Sequence, residues 1–183
     1  MSKNDFMGKV PPQNKELENA VIAACILEPD MFSEILLILF SPECFYLTVH
    51  QIIYSAMYEL HLSNTKIDLL TISDELSKSG KLQEAGGVYG LTTIASSIAS
   101  TAHAETHARI VLEKFNAREL IRICMETIGT AYAESDDIFD LLESTETKVR
   151  HISEGLSIES STSIGETYID VLMDIEELKQ NPV

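Results

Sequence analysis

Nothing between Ala104 and Ala133 interrupts a helix, because this stretch holds no proline and a single glycine, Gly129. Its apolar residues recur at spacings of four and three, in the series Ala117, Ile121, Cys124, Ile128 and Ala131. After a polar turn at residues 135–137, a second helical pattern reaches about Glu154, in the series Ile138, Leu142, Thr145, Val149, Ile152 and Leu156. Two long helices joined by a short turn predict an antiparallel helical hairpin over residues 104–154, with these two seams facing each other.

The hairpin also carries apolar residues that the two seams leave out. These are Leu120, Ile123, Met125, Tyr132, Phe139 and Leu141. A lone hairpin cannot bury both sets, and a second copy of the hairpin is the simplest structure that covers the remainder. The pattern therefore predicts that the chain associates with another protein surface.

Shorter helices are predicted over residues 12–103, after a disordered lead-in at residues 1–11. The first helix has an apolar stripe formed by Leu17, Ala20, Val21, Ala24 and Cys25. Pro29 ends it, and Asp30, Ser41 and Asp68 are suited to cap the helices that follow. A helix from about Leu47 to Leu62 turns four residues inward, namely Ile53, Ala56, Met57 and Leu60. The predicted fold is all-α: a compact N-terminal helical bundle, then the long hairpin, then a linker helix.

The net charge of −16 makes direct binding of nucleic acid unfavourable, since few cations remain to neutralise phosphates. Residues 134–183 carry 13 acidic and 3 basic residues, so most of the excess lies there. Such a balance suits a basic partner, or solubility alone. The N-terminus lacks the apolar core of a signal peptide and no apolar run is long enough for a membrane span, so we expect a cytoplasmic protein.

The segment GKLQEAGGVYGL, residues 80–91, has the glycine content of a phosphate-binding loop but not the pattern of one. A P-loop reads GxxxxGK[ST] between a strand and a helix, whereas here a helix precedes and Lys81 is followed by Leu82. We expect Gly80 to end a helix and the pair Gly86–Gly87 to form a tight bend between helices, because glycine tolerates a positive φ.

No convergent set of acid, base and nucleophile is evident in the sequence. His103 and His107 stand four residues apart and could share a metal ion, but the motif is not HExxH and no third ligand is obvious. His50 is expected to be a hydrogen-bonded histidine of the core or its rim. Cys25, Cys44 and Cys124 are expected to be buried, reduced thiols. We predict no catalytic residue, no metal and no cofactor.

Residues 155–183 begin with the serine-rich linker LSIESST and continue into one further helix. Ser163 and Glu166 fit a capping box at its start. One face of this helix is apolar and consists of Ile164, Tyr168, Val171, Ile175 and Leu178. A single tethered helix is marginally stable in water, so this face is predicted to dock on a missing domain or a neighbouring subunit.

Several segments together resemble the N-terminal region of bacterial replicative DNA helicases of the DnaB family. They are VPPQNKELENAVIAACILEPD, SPECFYLTVHQIIYSAMYEL, IDLLTISDEL, GKLQEAGG and HARIVLEK, which follow one another in the family's order from about Val10 to Glu154. One position departs from the pattern. The family usually places an aromatic residue directly before the leucine, where this chain has Gly90, with Tyr89 one position early.

The resemblance implies a fold and a set of partners. Family members are hexameric rings in which the N-terminal regions pair through the hairpin into a trimer of dimers. Primase docks on the layer of the ring that the N-terminal regions form, called the N-terminal tier. The linker helix packs on the ATPase domain of the next subunit. The ATP- and magnesium-binding motifs belong to a RecA-like C-terminal domain that is absent from residues 1–183. DNA would be contacted only by the full-length ring.

We therefore expect a non-catalytic assembly and primase-docking domain of a replicative helicase. The predicted partner surface on the hairpin consists of Ile121, Met125, Ile128, Tyr132, Phe139 and Leu142. Two alternatives are a stand-alone helical adaptor or helicase regulator, and a small metal-binding protein that uses His103 and His107. A metal assay tests the second of these directly.

Overall fold

The computed structural model describes residues 9–98, 100–133 and 137–153, and these are helical with no strand among them. The elements are α1 (Lys15–Leu27), α2 (Met31–Ile38), a 3₁₀ turn (Pro42–Cys44), α3 (Thr48–Leu62), α4 (Leu69–Lys78), α5 (Gly87–Ala95), α6 (Ala104–Ala133) and α7 (residues 138–153). The all-α prediction is confirmed. No helix in the described ranges is both long and apolar enough to cross a membrane.

The chain forms two compact units that divide between Arg118 and Glu119, within α6. The division predicted from the sequence lay at residue 103. The first half of α6 instead belongs to the N-terminal unit, because its residues Ala104, Ala108, Val111 and Leu112 are part of the buried core. The second half of α6 and helix α7 belong to the C-terminal unit.

Helix α1 is the central element of the N-terminal unit. Asn14 caps it by accepting a hydrogen bond from the Leu17 N–H at 3.1 Å, and the helix ends before Pro29, as predicted. Every residue from Val21 to Cys25 is buried, so α1 is enclosed around most of its circumference and packs against α2, α3 and α5. The predicted single apolar stripe was therefore too narrow.

Three aromatic rings join α2, the 3₁₀ turn and α3. The Tyr54 ring lies 5.2 Å from that of Phe32 and 4.9 Å from that of Phe45, measured between centroids. The Tyr54 hydroxyl donates to the Leu39 carbonyl oxygen at 2.6 Å, so the buried phenol is satisfied. Burial raises the pKa of Tyr54 above its ordinary value and keeps it protonated.

Helix α4 has the two ends that the sequence predicted. The Asp68 carboxylate accepts from the N–H groups of Leu70 and Thr71 at 2.9 and 3.0 Å, and the Thr71 hydroxyl accepts from the Asp68 N–H, which completes a capping box. Gly80 follows the helix with φ of +71°, and the Lys81 N–H reaches the Leu76 carbonyl at 2.8 Å. This is a Schellman ending, which satisfies the last carbonyls of the helix.

The Gly86–Gly87 pair forms the predicted bend, with φ of +88° and +66°. At Gly90 an added Cβ would meet the Ala85 carbonyl oxygen at 3.3 Å, so the backbone is close there. Tyr89, the residue that departs from the family pattern, is exposed, while Leu91 is fully buried. Helix α5 is continuous from Gly87 to Ala95, and the Tyr89 ring lies on its surface.

Two predicted side-chain caps are absent. Asp30 precedes α2 but makes no capping hydrogen bond, and its backbone is already α-helical. Ser41 precedes the 3₁₀ turn, but its hydroxyl bonds to the Glu43 carboxylate and not to a backbone N–H. Pro42 occupies the first helical position, as predicted.

The prediction for the cysteines is correct for two of the three. Burial raises the pKa of Cys25 to about 12 and that of Cys44 to about 11, so both thiols are protonated and inert near neutral pH. Cys124 is exposed, in contrast to the prediction.

Candidate interaction surface of the hairpin

Arg118 anchors the first half of α6 in the N-terminal unit. Its guanidinium donates to the carbonyl oxygens of Pro12 at 2.9 Å and Cys44 at 2.8 Å, which belong to two separate segments of the chain. The same group lies 5.7 Å from the Tyr46 ring centroid and 5.8 Å from that of Phe115. The planar guanidinium donates two hydrogen bonds and lies near two aromatic rings at the same time, an arrangement that the ammonium group of lysine cannot reproduce.

A buried carboxylate binds the backbone of residues 46–47, which follow the 3₁₀ turn. Glu18, which is 1% exposed, accepts from the N–H groups of Tyr46 at 2.8 Å and Leu47 at 3.1 Å. Its second oxygen also lies 3.0 Å from Nδ1 of His50, a histidine that is 3% exposed. Burial alone would raise the pKa of Glu18, but the hydrogen bonds from His50 and the two backbone groups outweigh it, and the pKa is lowered.

His50 lies in the core, as one of the two predicted locations, whereas the burial of Glu18 was not predicted. Many glutamates in the first turn of an amphipathic helix are solvated, so the position of Glu18 in the first turn does not by itself indicate burial. The available signal was the position of Glu18 between Leu17 and Ala20–Val21, on the apolar side of the helix.

Two polar pairs of side chains connect helices α6 and α7. The hydroxyls of Thr127 and Thr145 lie 3.1 Å apart, and each lies 2.8 Å from the carbonyl oxygen four residues earlier in its own helix. Because a hydroxyl has one proton, one threonine donates to the other hydroxyl while the second donates to its own helix carbonyl. Lys148 reaches the Glu126 carboxylate at 2.7 Å. Ile123 is the buried apolar residue of this part of α6, at 3% exposure.

The predicted seam inside the hairpin was therefore wrong for most of its residues. Thr145 lies in the contact as predicted, but Ile121, Cys124 and Ile128 of α6 are exposed, and so are Ile138, Leu142 and Val149 of α7. Both helices have apolar residues on more than one face, so spacing alone could not decide which face turned inward. Thr127 and Thr145 allow close approach of the backbones, which bulkier residues would prevent.

The outward faces of the two helices carry all six residues predicted for the partner surface. Their exposed fractions lie between 42% and 76%, for Ile121, Met125, Ile128, Tyr132, Phe139 and Leu142. Large apolar side chains this concentrated on one element are unusual on an isolated surface and typical of an interface. Whether a partner covers them remains a prediction.

Ion pairs neutralise the charges beside the α6 part of this surface. Arg122 lies 2.9 Å from Glu119 and 3.2 Å from Glu126, and Glu126 also pairs with Lys148. The hydrogen bond and the charge of Lys148, followed by the charge and the hydrogen bond of Arg122, lower the pKa of Glu126. The exposed apolar residues of α6 are thus bordered by charges that are already compensated.

The two histidines proposed as metal ligands lie at the start of α6, with ring centroids 6.2 Å apart. Among the residues that the structure describes, no group of three or more His, Cys, Asp or Glu side chains is arranged to hold a metal ion. The predicted docking residues of the linker helix, Ile164, Tyr168, Val171, Ile175 and Leu178, lie outside the described residues.

A comparison with known families identifies the N-terminal helical unit. The profile of the family described as DnaB-like helicase N terminal domain matches residues 10–113, which is more than half of the 183 residues. The chain belongs to the DnaB-like helicase N-terminal domain family. The resemblance stated from the sequence is confirmed.

Similar proteins extend the match beyond the family profile. The replicative DNA helicase DnaB of Rhodothermus marinus is 36% identical over 175 residues, covering 96% of this chain and 18% of the relative. The replicative DNA helicase DnaC of Bacillus subtilis is 34% identical over 173 residues, covering 93% of this chain and 37% of the relative. The chain thus spans a fifth to two fifths of the length of these DnaB-family relatives.

Solved structures of the DnaB family share the fold. The N-terminal domain of DnaB helicase from Mycobacterium tuberculosis superposes with a TM-score of 0.73 at 28% identity, over 78% of this chain and 99% of that one. A DnaB-like replicative helicase studied for its interactions with primase gives a TM-score of 0.64 at 27% identity, over 89% of this chain and 35% of that one. The two matches agree with the family assignment.

Proposed function

We propose that this chain is the non-catalytic assembly and primase-docking domain of a replicative DNA helicase. The observation that carries the proposal is the row of exposed apolar residues along the hairpin, in a chain of this family. In the full-length protein such domains would pair through their hairpins and join as a trimer of dimers in a hexameric ring. Primase would dock on the same tier.

Catalysis would then lie elsewhere in the full-length protein. ATP and Mg²⁺ would bind a C-terminal domain, DNA would be unwound by the whole ring, and the linker helix would pack on the adjacent subunit. We expect residues 1–183 to bind neither ATP nor DNA with useful affinity, and we expect the protein to work in the cytoplasm.

Sedimentation equilibrium of the 183-residue chain over a wide concentration range tests assembly. We expect the average mass to rise from that of a monomer to that of a dimer or a larger species. A monomer mass at the highest concentrations would contradict self-association through the hairpin. Titration with labelled primase of the same bacterium tests docking separately, because saturable binding is expected whatever the mass.

A further inference from the structure

The exposed surface of α7 differs in charge from that of α6. On α7 the apolar residues Phe139 and Leu142 alternate along the chain with Asp140 and Glu143. The two carboxylates line one surface depression together with Ser144, Thr147 and Lys148, whose ammonium group pairs with Glu126 of α6. Within the part of the chain that the structure describes, neither carboxylate forms an ion pair or a side-chain hydrogen bond.

A second copy of this hairpin offers poor charge complementarity to these carboxylates. The lysine and arginine side chains of the hairpin's described residues, 119–133 and 137–153, are Arg122, Lys148 and Arg150. Each already pairs with a glutamate of the same chain. A second copy would have to break one of these pairs to neutralise Asp140 or Glu143, and carboxylates that face each other across a two-fold axis repel.

The charges beside the α6 surface, in contrast, are compensated within the same chain. Ile121, Met125 and Ile128 are bordered by Arg122, Glu119 and Glu126, and with Lys148 of α7 on Glu126 the two cations and two carboxylates compensate one another. Such a surface can meet its own copy without placing an uncompensated charge in the contact. The two helices of the hairpin are therefore suited to different partners.

We infer that Phe139, Leu142, Asp140 and Glu143 form a docking site for a basic amphipathic helix of a second protein, while the apolar face of α6 meets a second copy of this chain. On α7 the apolar pair and the acidic pair each have a spacing of three residues and lie side by side. A partner helix with leucine-like residues in one stripe and lysine or arginine in the next has the matching spacing and charge. This inference assigns the exposed surfaces of the two hairpin helices to two different partners. It rests on the proposed function only where primase is the partner.

Neutralising the acidic pair tests the inference directly. The double variant D140N/E143Q removes two charges with little change of shape, and E34Q/E59Q removes two exposed carboxylates of the N-terminal unit as a matched control. The probe is a fluorescein-labelled peptide of leucine and lysine at helical spacing, with a leucine–glutamate peptide as the second control. We expect D140N/E143Q to weaken binding of the lysine peptide about three- to thirtyfold at low salt, while E34Q/E59Q does not.

Two results of the peptide titration would overturn the inference. Equal weakening by both double variants would mean that the peptide responds to net charge alone. Unchanged binding by D140N/E143Q would mean that the peptide lies elsewhere. In sedimentation equilibrium D140N/E143Q is expected to keep the wild-type mass at every concentration, and an altered mass would place these carboxylates in the self-contact.

Labelled primase, titrated in parallel, separates this inference from the proposed function. If primase loses affinity for D140N/E143Q but not for E34Q/E59Q, the result supports both the inference and the proposed function. Equal affinity for the wild type and D140N/E143Q contradicts the inference for primase. If primase does not bind the wild type, primase docking fails, and the lysine peptide still decides whether the α7 surface accepts a basic helix.

Discussion

Thr127 of α6 and Thr145 of α7 meet hydroxyl to hydroxyl at 3.1 Å, so both residues lie on the faces of the hairpin that turn inward. Ile123 is buried and Ile121, two residues earlier, is exposed. The rotation of α6 about its axis thus decides which apolar residues are available to a partner.

This rotation can be measured with two alanine substitutions. Ile123→Ala is expected to lower the free energy of unfolding by about 2–4 kcal/mol, because it leaves a cavity in the packed interior. Ile121→Ala removes the same atoms from an exposed position and is expected to change stability by less than about 0.5 kcal/mol. Urea unfolding at low protein concentration, where association is minimal, makes the comparison, and the reverse order would restore the seam first predicted from spacing.

Self-association is expected to weaken when a charge enters the exposed face of α6. Ile128→Asp places a carboxylate in the proposed apolar contact, and its desolvation should raise the dimer dissociation constant roughly tenfold or more. Leu37→Asp is the matched control, since Leu37 is exposed on α2 and far from the hairpin in sequence. Sedimentation equilibrium reports both, and an Ile128→Asp chain with wild-type mass at each concentration would remove α6 from the interface.

Glu18 is expected to make the stability of the N-terminal unit depend on acid pH. Its folded pKa is lowered from the ordinary value of 4.5, so it stabilises the fold above pH 4.5, and this contribution is lost as the pH falls through the lowered pKa. Glu18→Gln is expected to cost about 2–3 kcal/mol at pH 7, because an amide cannot accept from all three donors. The cost should shrink in acid.

Thermal unfolding between pH 2.5 and 7 tests this behaviour. Glu16→Gln provides the control, since Glu16 lies on the exposed side of the same helix turn. A difference between wild type and Glu18→Gln that stays constant across this range would refute the role assigned to ionised Glu18.

Arg118 should not tolerate replacement by lysine. An ammonium group cannot bond the Pro12 and Cys44 carbonyls in a fork while it stacks between Tyr46 and Phe115. We expect Arg118→Lys to destabilise the fold by about 1–3 kcal/mol. Arg122→Lys should change stability by less than about 0.5 kcal/mol, because Arg122 is exposed and makes only surface ion pairs. Equal melting temperatures for the two variants would show that the paired hydrogen bonds of Arg118 do not stabilise the fold.

The features that the sequence predicted well have local causes. The capping box at Asp68 and the positive φ at Gly80 depend on residues within one turn of the chain, and α6 is long because nothing in it opposes a helix. The all-α class follows from the same local signals.

The features that the sequence did not predict depend on distant residues. Glu18 is buried because the Tyr46–Leu47 backbone and His50, about thirty positions later, supply its donors. Thr127 and Thr145 form the hairpin contact although neither is apolar, so a search for apolar seams selected the neighbouring faces. The six proposed interface residues were nonetheless exposed as a group, since apolar residues in excess of the internal contact must remain outside.

Helix α6 is continuous across the boundary between the two units, and this has an energetic consequence for the hairpin. Forming the first turn is the unfavourable step of helix formation, and each later residue adds to an existing end. Residues 104–118 form that first part within the N-terminal core, so the hairpin extends a helix that has already begun. Folding of the N-terminal unit thus acts as a template for the hairpin, and a fragment that starts at Glu119 would have to begin the helix unaided.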